Sequence, residues 1–226
     1  LGTLGFAVDA GRDSTPLTVT ARDDEAGRAR IGPGTRDAPR ALNWSGIGDI
    51  LCFHTGVLDW KYARDVGRIE ANWPYDEDLA RQSLSKVEAI VGNIDHIRNM
   101  TDQGIEALVD GLKWGTSFHG SGWCPRHIEG TDHFLFYTLE KMTGRKFLHG
   151  QPVGLGIVVG SMLHDNRADE MLDTISRIGL DVRPEAMGLP LPCRQLVPRA
   201  RRADLLRRDG GAGHLGTRVE LARIAC

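Results

Sequence analysis

The chain has 226 residues, 41% of them hydrophobic and 26% charged, with a net charge of −2, which is ordinary composition for one sizeable globular domain. The balance of 28 basic against 30 acidic residues gives no global basic field, so polyanion binding is not suggested. No apolar run approaches the roughly 20 residues of a membrane-spanning helix, and no secretion signal is visible at the start. Aromatics are uneven: 13 of 14 lie between Trp44 and Phe147, which marks the middle of the chain as the densest core. Cys52, Cys124, Cys193 and Cys226 form no C-x-x-C pair, so they read as free thiols of a reducing cytoplasm rather than a zinc ribbon.

Residues 1–40 hold short β-like pieces, Leu4–Val8 and Leu17–Thr20, between polar Gly/Pro-containing stretches, and read as an arm rather than a domain. From Asn43 the pattern turns helical. Ser45 is the expected cap of a helix over Ile47–Val66. Asp76 is the expected cap of the next, whose Leu84, Val87, Val91, Ile94 and Ile97 share one face. Thr101 caps another with Ile105, Leu108, Val109 and Leu112 inward. After an irregular loop over Gly120–Gly130, helical patterning resumes at Asp132–Met142 and stops at Gly144. His149-Gly150-Gln151-Pro152 opens a helix in which Gly156 and Gly160 permit close approach of a neighbour, and Pro152 suits its first turn. Asp169–Ile178 is one more helix before Gly179, and Pro184 fits near the start of a short last one. The expected fold is all-α over residues 41–188. The tail from Leu189 carries 8 Arg against 3 acids and no aromatic, which reads as a solvated basic stretch rather than a nucleic-acid surface.

A divalent metal needs three or more ligands converging from rigid elements. His133 at one helix start and His149 before the next are joined through the turn at Gly144, and Asp49 behind Gly46-Ile47-Gly48 is a candidate third ligand. On spacing alone, a structural hydrogen-bonding role for these histidines stands beside the metal-binding one.

The ordered segments Gly46-Ile47-Gly48-Asp49-Ile50-Leu51 with Val57-Leu58-Asp59-Trp60-Lys61, then Glu129-Gly130-Thr131-Asp132-His133-Phe134, then Leu148-His149-Gly150-Gln151-Pro152-Val153-Gly154 resemble the metal-binding helical domain of the iron-containing alcohol dehydrogenase superfamily. The glycerol-1-phosphate dehydrogenases are the most similar subgroup, and dehydroquinate synthases are more distant. The resemblance implies a helical bundle like the C-terminal domain of those proteins, with Asp49, His133 and His149 holding one divalent metal, zinc first, with iron or nickel as alternatives. It also implies an NAD(P)-linked oxidoreductase acting on a small polyol or polyol phosphate, with no nucleic-acid or membrane partner and a homo-oligomer as a compatible assembly. The alternatives carried with it are a dehydroquinate-synthase-like cyclase and a non-catalytic metal-binding fragment.

Two positions depart from the pattern of relatives. A fourth ligand in some of them, a His one turn after the Asp, is replaced by Phe53, which leaves His54 as a helix-surface or supporting residue. A second His four residues after the first helix-start ligand is replaced by Tyr137. In Cys124-Pro125-Arg126-His127, Arg126 corresponds to a short S-R-P-type stretch of the glycerol-phosphate enzymes and is a candidate phosphate contact, with His127 a candidate substrate contact. The G-G-G-x-x-x-D phosphate turn of the nucleotide-binding half does not occur, and Gly32-Pro33-Gly34 reads as a plain turn. The chain therefore reads as residues 1–40 arm or remnant of a cofactor domain, 41–188 metal-binding domain and 189–226 tail. Its Arg-, Gly-, Ala- and Pro-rich ends suit a truncated or frame-disrupted product.

Overall fold

The computed structural model describes residues 39–118 and 124–189 with their side chains, and the backbone of 4–5, 18–19, 21–23 and 29–31. Those four short pieces form two antiparallel pairs: β1 (Leu4–Gly5) with β2 (Thr18–Val19), and β3 (Ala21–Asp23) with β4 (Ala29–Ile31). The rest of the described chain is all-α, in the order α1 (Arg40–Ser45), α2 (Gly48–Asp65), α3 (Glu77–Gly92), α4 (Ile94–Arg98), α5 (Asp102–Thr116), a 3-10 turn at Pro125–His127, α6 (Thr131–Thr143), α7 (Gly150–Leu163) and α8 (Ala168–Ile178). The Arg-rich tail beyond Leu189 lies outside the described residues, as do Cys193 and Cys226. No helix among the described residues is long and apolar enough to cross a membrane.

Most local stop and start signals act as expected. The Asp76 carboxylate accepts from the backbone N–H of Asp78 and Leu79, both at 2.9 Å, and Thr101 Oγ1 accepts from Gly104 N at 3.3 Å, satisfying donors that a helix start leaves open. Gly144 ends α6 at φ 65° and Gly179 ends α8 at φ 104°, both left-handed positions suited to glycine.

Three expectations need correction. Ser45 does not cap α2: it closes the short helix α1, and its Oγ accepts from Gly150 N at 2.8 Å. The face running from Leu84 to Ile97 is divided at Asn93, whose side-chain amide donates to Ala89 O at 2.8 Å, so Ile94 and Ile97 belong to a separate helix. Residues 184–188 form a turn rather than a helix.

Helix α2 is the axis of the bundle. Its buried Ile50, Leu51, Cys52 and Phe53 join Val87 and Ile90 of α3, Val153, Leu155 and Ile157 of α7, and Met171 and Ile175 of α8 in one core. Each such fully buried aliphatic side chain contributes roughly 1.5–3 kcal/mol. A smaller cluster at the far end of α2 gathers Val57, Trp60 and Ala80 around Tyr75. Packing α6 and α7 onto α2 brings Asp49, His133 and His149, each at a helix start, to one place.

Candidate metal centre

Close backbone approach brings the donors together. A Cβ on Gly150 would fall 2.2 Å from the Ser45 carbonyl oxygen, and one on Gly48 would lie 3.1 Å from the Gly150 Cα. Only glycine lets the start of α7 seat against the α1–α2 corner, which places His149 beside Asp49. A Cβ on Gly156 would fall 2.5 Å from the Asp132 Cα, so the middle of α7 presses on the first turn of α6, where His133 stands.

Asp49, His133 and His149 converge, with donor atoms all within 4.8 Å of one another. His149 Nε2 lies 2.7 Å from Asp49 Oδ1 and His133 Nε2 lies 3.7 Å from the same oxygen. The two rings are 5.3 Å apart between centroids. His133 is nearly buried, while His149 and Asp49 keep 28% and 38% of their side-chain surface exposed, so the trio opens to solvent on one side. Phe136 meets the His149 ring edge-on at 4.5 Å, and the exposed Tyr137 lies 6.1 Å from the His133 ring.

Burial alone would raise the Asp49 carboxyl, but the neighbouring imidazoles of His133 and His149, the latter hydrogen-bonded to it, outweigh burial and hold the group well below the usual carboxylate range. Burial pushes His133 down, whereas its hydrogen bond to Asp132 and the nearby Asp49 carboxylate prevail and leave it well above an ordinary histidine. His133 Nδ1 lies 2.6 Å from Asp132 Oδ1. With Nδ1 committed there, Nε2 is left facing the Asp49 carboxylate 3.7 Å away, where a metal cation could be held. One carboxylate and two imidazoles fit a divalent first-row metal and do not choose sharply among zinc, iron and nickel.

Cys52, Asp132 and His133 form a second, fully buried cluster sharing His133. The Cys52 thiol is pushed up to about 12, burial being the largest cause, and its S–H donates to Ile128 O at 3.0 Å. A protonated thiol is a poor metal ligand. Sequence reasoning passed over Asp132 and its partner Thr55. An acid in the first turn of a helix reads as an exposed residue that complements the helix dipole, yet Asp132 is wholly buried. The usable signal was its place directly before a candidate ligand histidine.

The other predicted residues lie elsewhere. Arg126 Nε and Nη2 donate to the two Glu70 carboxylate oxygens at 2.5 and 2.6 Å, and its guanidinium stands 5.2 Å over the Trp73 ring. The wholly buried His127 pairs through Nδ1 with Ser83 Oγ at 3.0 Å, beside the rings of Trp114 and Phe118. Phe53, at the position of the fourth ligand, packs 5.5 Å from Trp114 and offers no donor atom. His54 is not a surface residue: it is buried, with Nε2 3.3 Å from Asn166 O, because the loop between α7 and α8 covers that side of α2.

The described residues thus form an all-α bundle in which Asp49, His133 and His149 could hold a divalent metal. No family model matches the chain. Among curated proteins it is similar to the glycerol-1-phosphate dehydrogenases [NAD(P)+] of Thermofilum pendens (27% identical over 179 residues, 78% of this chain and 50% of that protein), Thermococcus kodakarensis (26%, 68% and 43%) and Aeropyrum pernix (28%, 68% and 42%). The chain spans about half the length of the curated relatives it matches.

Proposed function

We propose that this bundle is the metal- and substrate-binding half of an NAD(P)-linked dehydrogenase acting on a polyol phosphate in the manner of glycerol-1-phosphate dehydrogenase. The observation that carries the reading is the convergence of Asp49, His133 and His149 from three helix starts, in a chain similar to proteins of that name. Asp49, ionised at neutral pH, His133 and His149 would hold the metal, with zinc the first choice. When bound, a divalent cation supplies Lewis acidity, lowering the pKa of a substrate hydroxyl or polarising a ketone.

The residues of the bundle do the remaining positioning. Asp132 holds the His133 ring, Phe136 braces His149, and Tyr137 stands at the open side where a substrate enters. Arg126, as a phosphate contact, would have to exchange Glu70 for the substrate; His127, buried beside Ser83, enters no step. The described residues build no βαβ unit that fits a dinucleotide, so no residue of this bundle is assigned to the nicotinamide and no step is derived through it.

The test is metal content after dialysis in the wild-type chain and in Asp49→Ala, His133→Ala and His149→Ala. One tightly held divalent ion per wild-type chain, lost in each variant, supports the reading. Stoichiometric metal surviving all three changes would show that the site is wrong. Calorimetric titration with glycerol 1-phosphate should then give binding to the metal-loaded chain that weakens when the metal is stripped. Equal affinity with and without metal would contradict a metal-polarised substrate.

A further inference from the structure

Asp132 has no surface exposed, and burying a carboxyl group is costly unless its oxygens are satisfied. Its Oδ1 lies 2.6 Å from His133 Nδ1, accepts from His133 N at 2.7 Å and from Gly130 N at 3.4 Å, and its Oδ2 accepts from Thr55 Oγ1 at 2.5 Å. The two backbone N–H groups can only donate, so Oδ1 is fixed as an acceptor and the His133 Nδ1 that faces it carries the proton. Thr55 is itself wholly buried on α2, one and a half turns beyond Asp49, so this carboxyl group ties the ligand-bearing helix α2 to the ligand-bearing first turn of α6.

We infer that Asp132, buttressed by Thr55, is a positioning residue for the metal centre: it fixes the Nδ1–H tautomer of His133 and aims its Nε2 lone pair at the site shared with Asp49 and His149. The inference rests on the metal reading above and goes beyond it. Two backbone N–H groups converge on Oδ1, so that atom is held as an acceptor even when the side chain is an amide. Asp132→Asn therefore keeps the shape and the hydrogen bond but removes the charge that makes the imidazole a better ligand. Outer partners of this kind are typically worth about 10- to 100-fold in metal affinity.

The experiment is a Zn(II) competition titration against a chromophoric chelator for wild type, Asp132→Asn, His133→Ala and the double variant, with the Co(II) visible spectrum of each. A role exercised through His133 predicts that Asp132→Asn weakens metal binding by about 10- to 100-fold and shifts the Co(II) bands. It further predicts less than about a twofold effect on the weak residual Zn(II) affinity of the His133→Ala background, read by direct titration without the chelator, because coupled residues are not additive. The same loss in both backgrounds, or no loss in either, overturns the inference while leaving the metal site standing. A wild-type chain that takes up no metal overturns both. Should Asp132→Asn fail to fold, Thr55→Val removes only the supporting hydroxyl. Its loss of affinity must be smaller, in the same direction, and absent in the His133→Ala background; an additive loss there overturns the inference.

Discussion

At the scale of single residues, burial and bonding decide which histidine does what. His133 and His127 are both buried, yet they are driven in opposite directions. His133 has two acidic neighbours and rises; His127 is lowered to about 4 because burial outweighs the distant charge of Asp76. The unfolded chain returns His127 to about 6.5, so between these values the unfolded state binds more protons and stability rises with pH. Stability from a neutral His127 is fully present above about pH 6.5 and is lost progressively toward pH 4, by roughly 3 kcal/mol in all. His127→Asn should therefore lower the urea midpoint less at pH 5 than at pH 7.5 relative to wild type, because the opposite contribution of His133 is common to both proteins. An equal lowering at the two pH values would assign the pH dependence to other groups.

At the scale of elements, what was legible in the sequence was local. Asp76 and Thr101 start helices, and Gly144 and Gly179 end them, through contacts within a few residues, and those four positions read correctly. Ser45 was misread because the donor that claims its oxygen, Gly150 N, lies 105 residues away. Sequence separation likewise hid Asp132, whose partner Thr55 lies 77 residues away on another helix, and the burial of His54 beneath Asn166, 112 residues away. The three metal-ligand candidates were legible only because short motifs carry them; their meeting depends on glycine contacts that no helical periodicity encodes. Gly150 is the sharpest case. Gly150→Ala should cost about 1–3 kcal/mol as an overpacking change, measurable by urea denaturation, and should weaken metal binding by moving His149 from Asp49. Full stability with unchanged metal affinity would contradict the close packing described for this corner.

At the scale of the whole molecule, the core and the candidate metal centre make different demands on the sequence. The aliphatic core along α2 contains none of the three candidate donors, which stand at helix starts. Stripping the metal with a chelator should leave helical content intact while lowering the melting temperature. The stability difference should be near 2.7 kcal/mol when free metal stands at about 100 times its dissociation constant. Circular dichroism melts with and without chelator check this, and collapse of the helices on stripping would mean that the metal, not the core, carries the fold.

The central claim is that one carboxylate and two imidazoles hold a divalent ion in this bundle. Zinc K-edge X-ray absorption on the loaded chain tests it most directly. The account predicts a first shell of nitrogen and oxygen only, at about 2.0–2.2 Å, with the outer-shell scattering of two imidazoles. A sulfur shell near 2.3 Å, as Cys52 would supply, or a spectrum without imidazole scattering would contradict it.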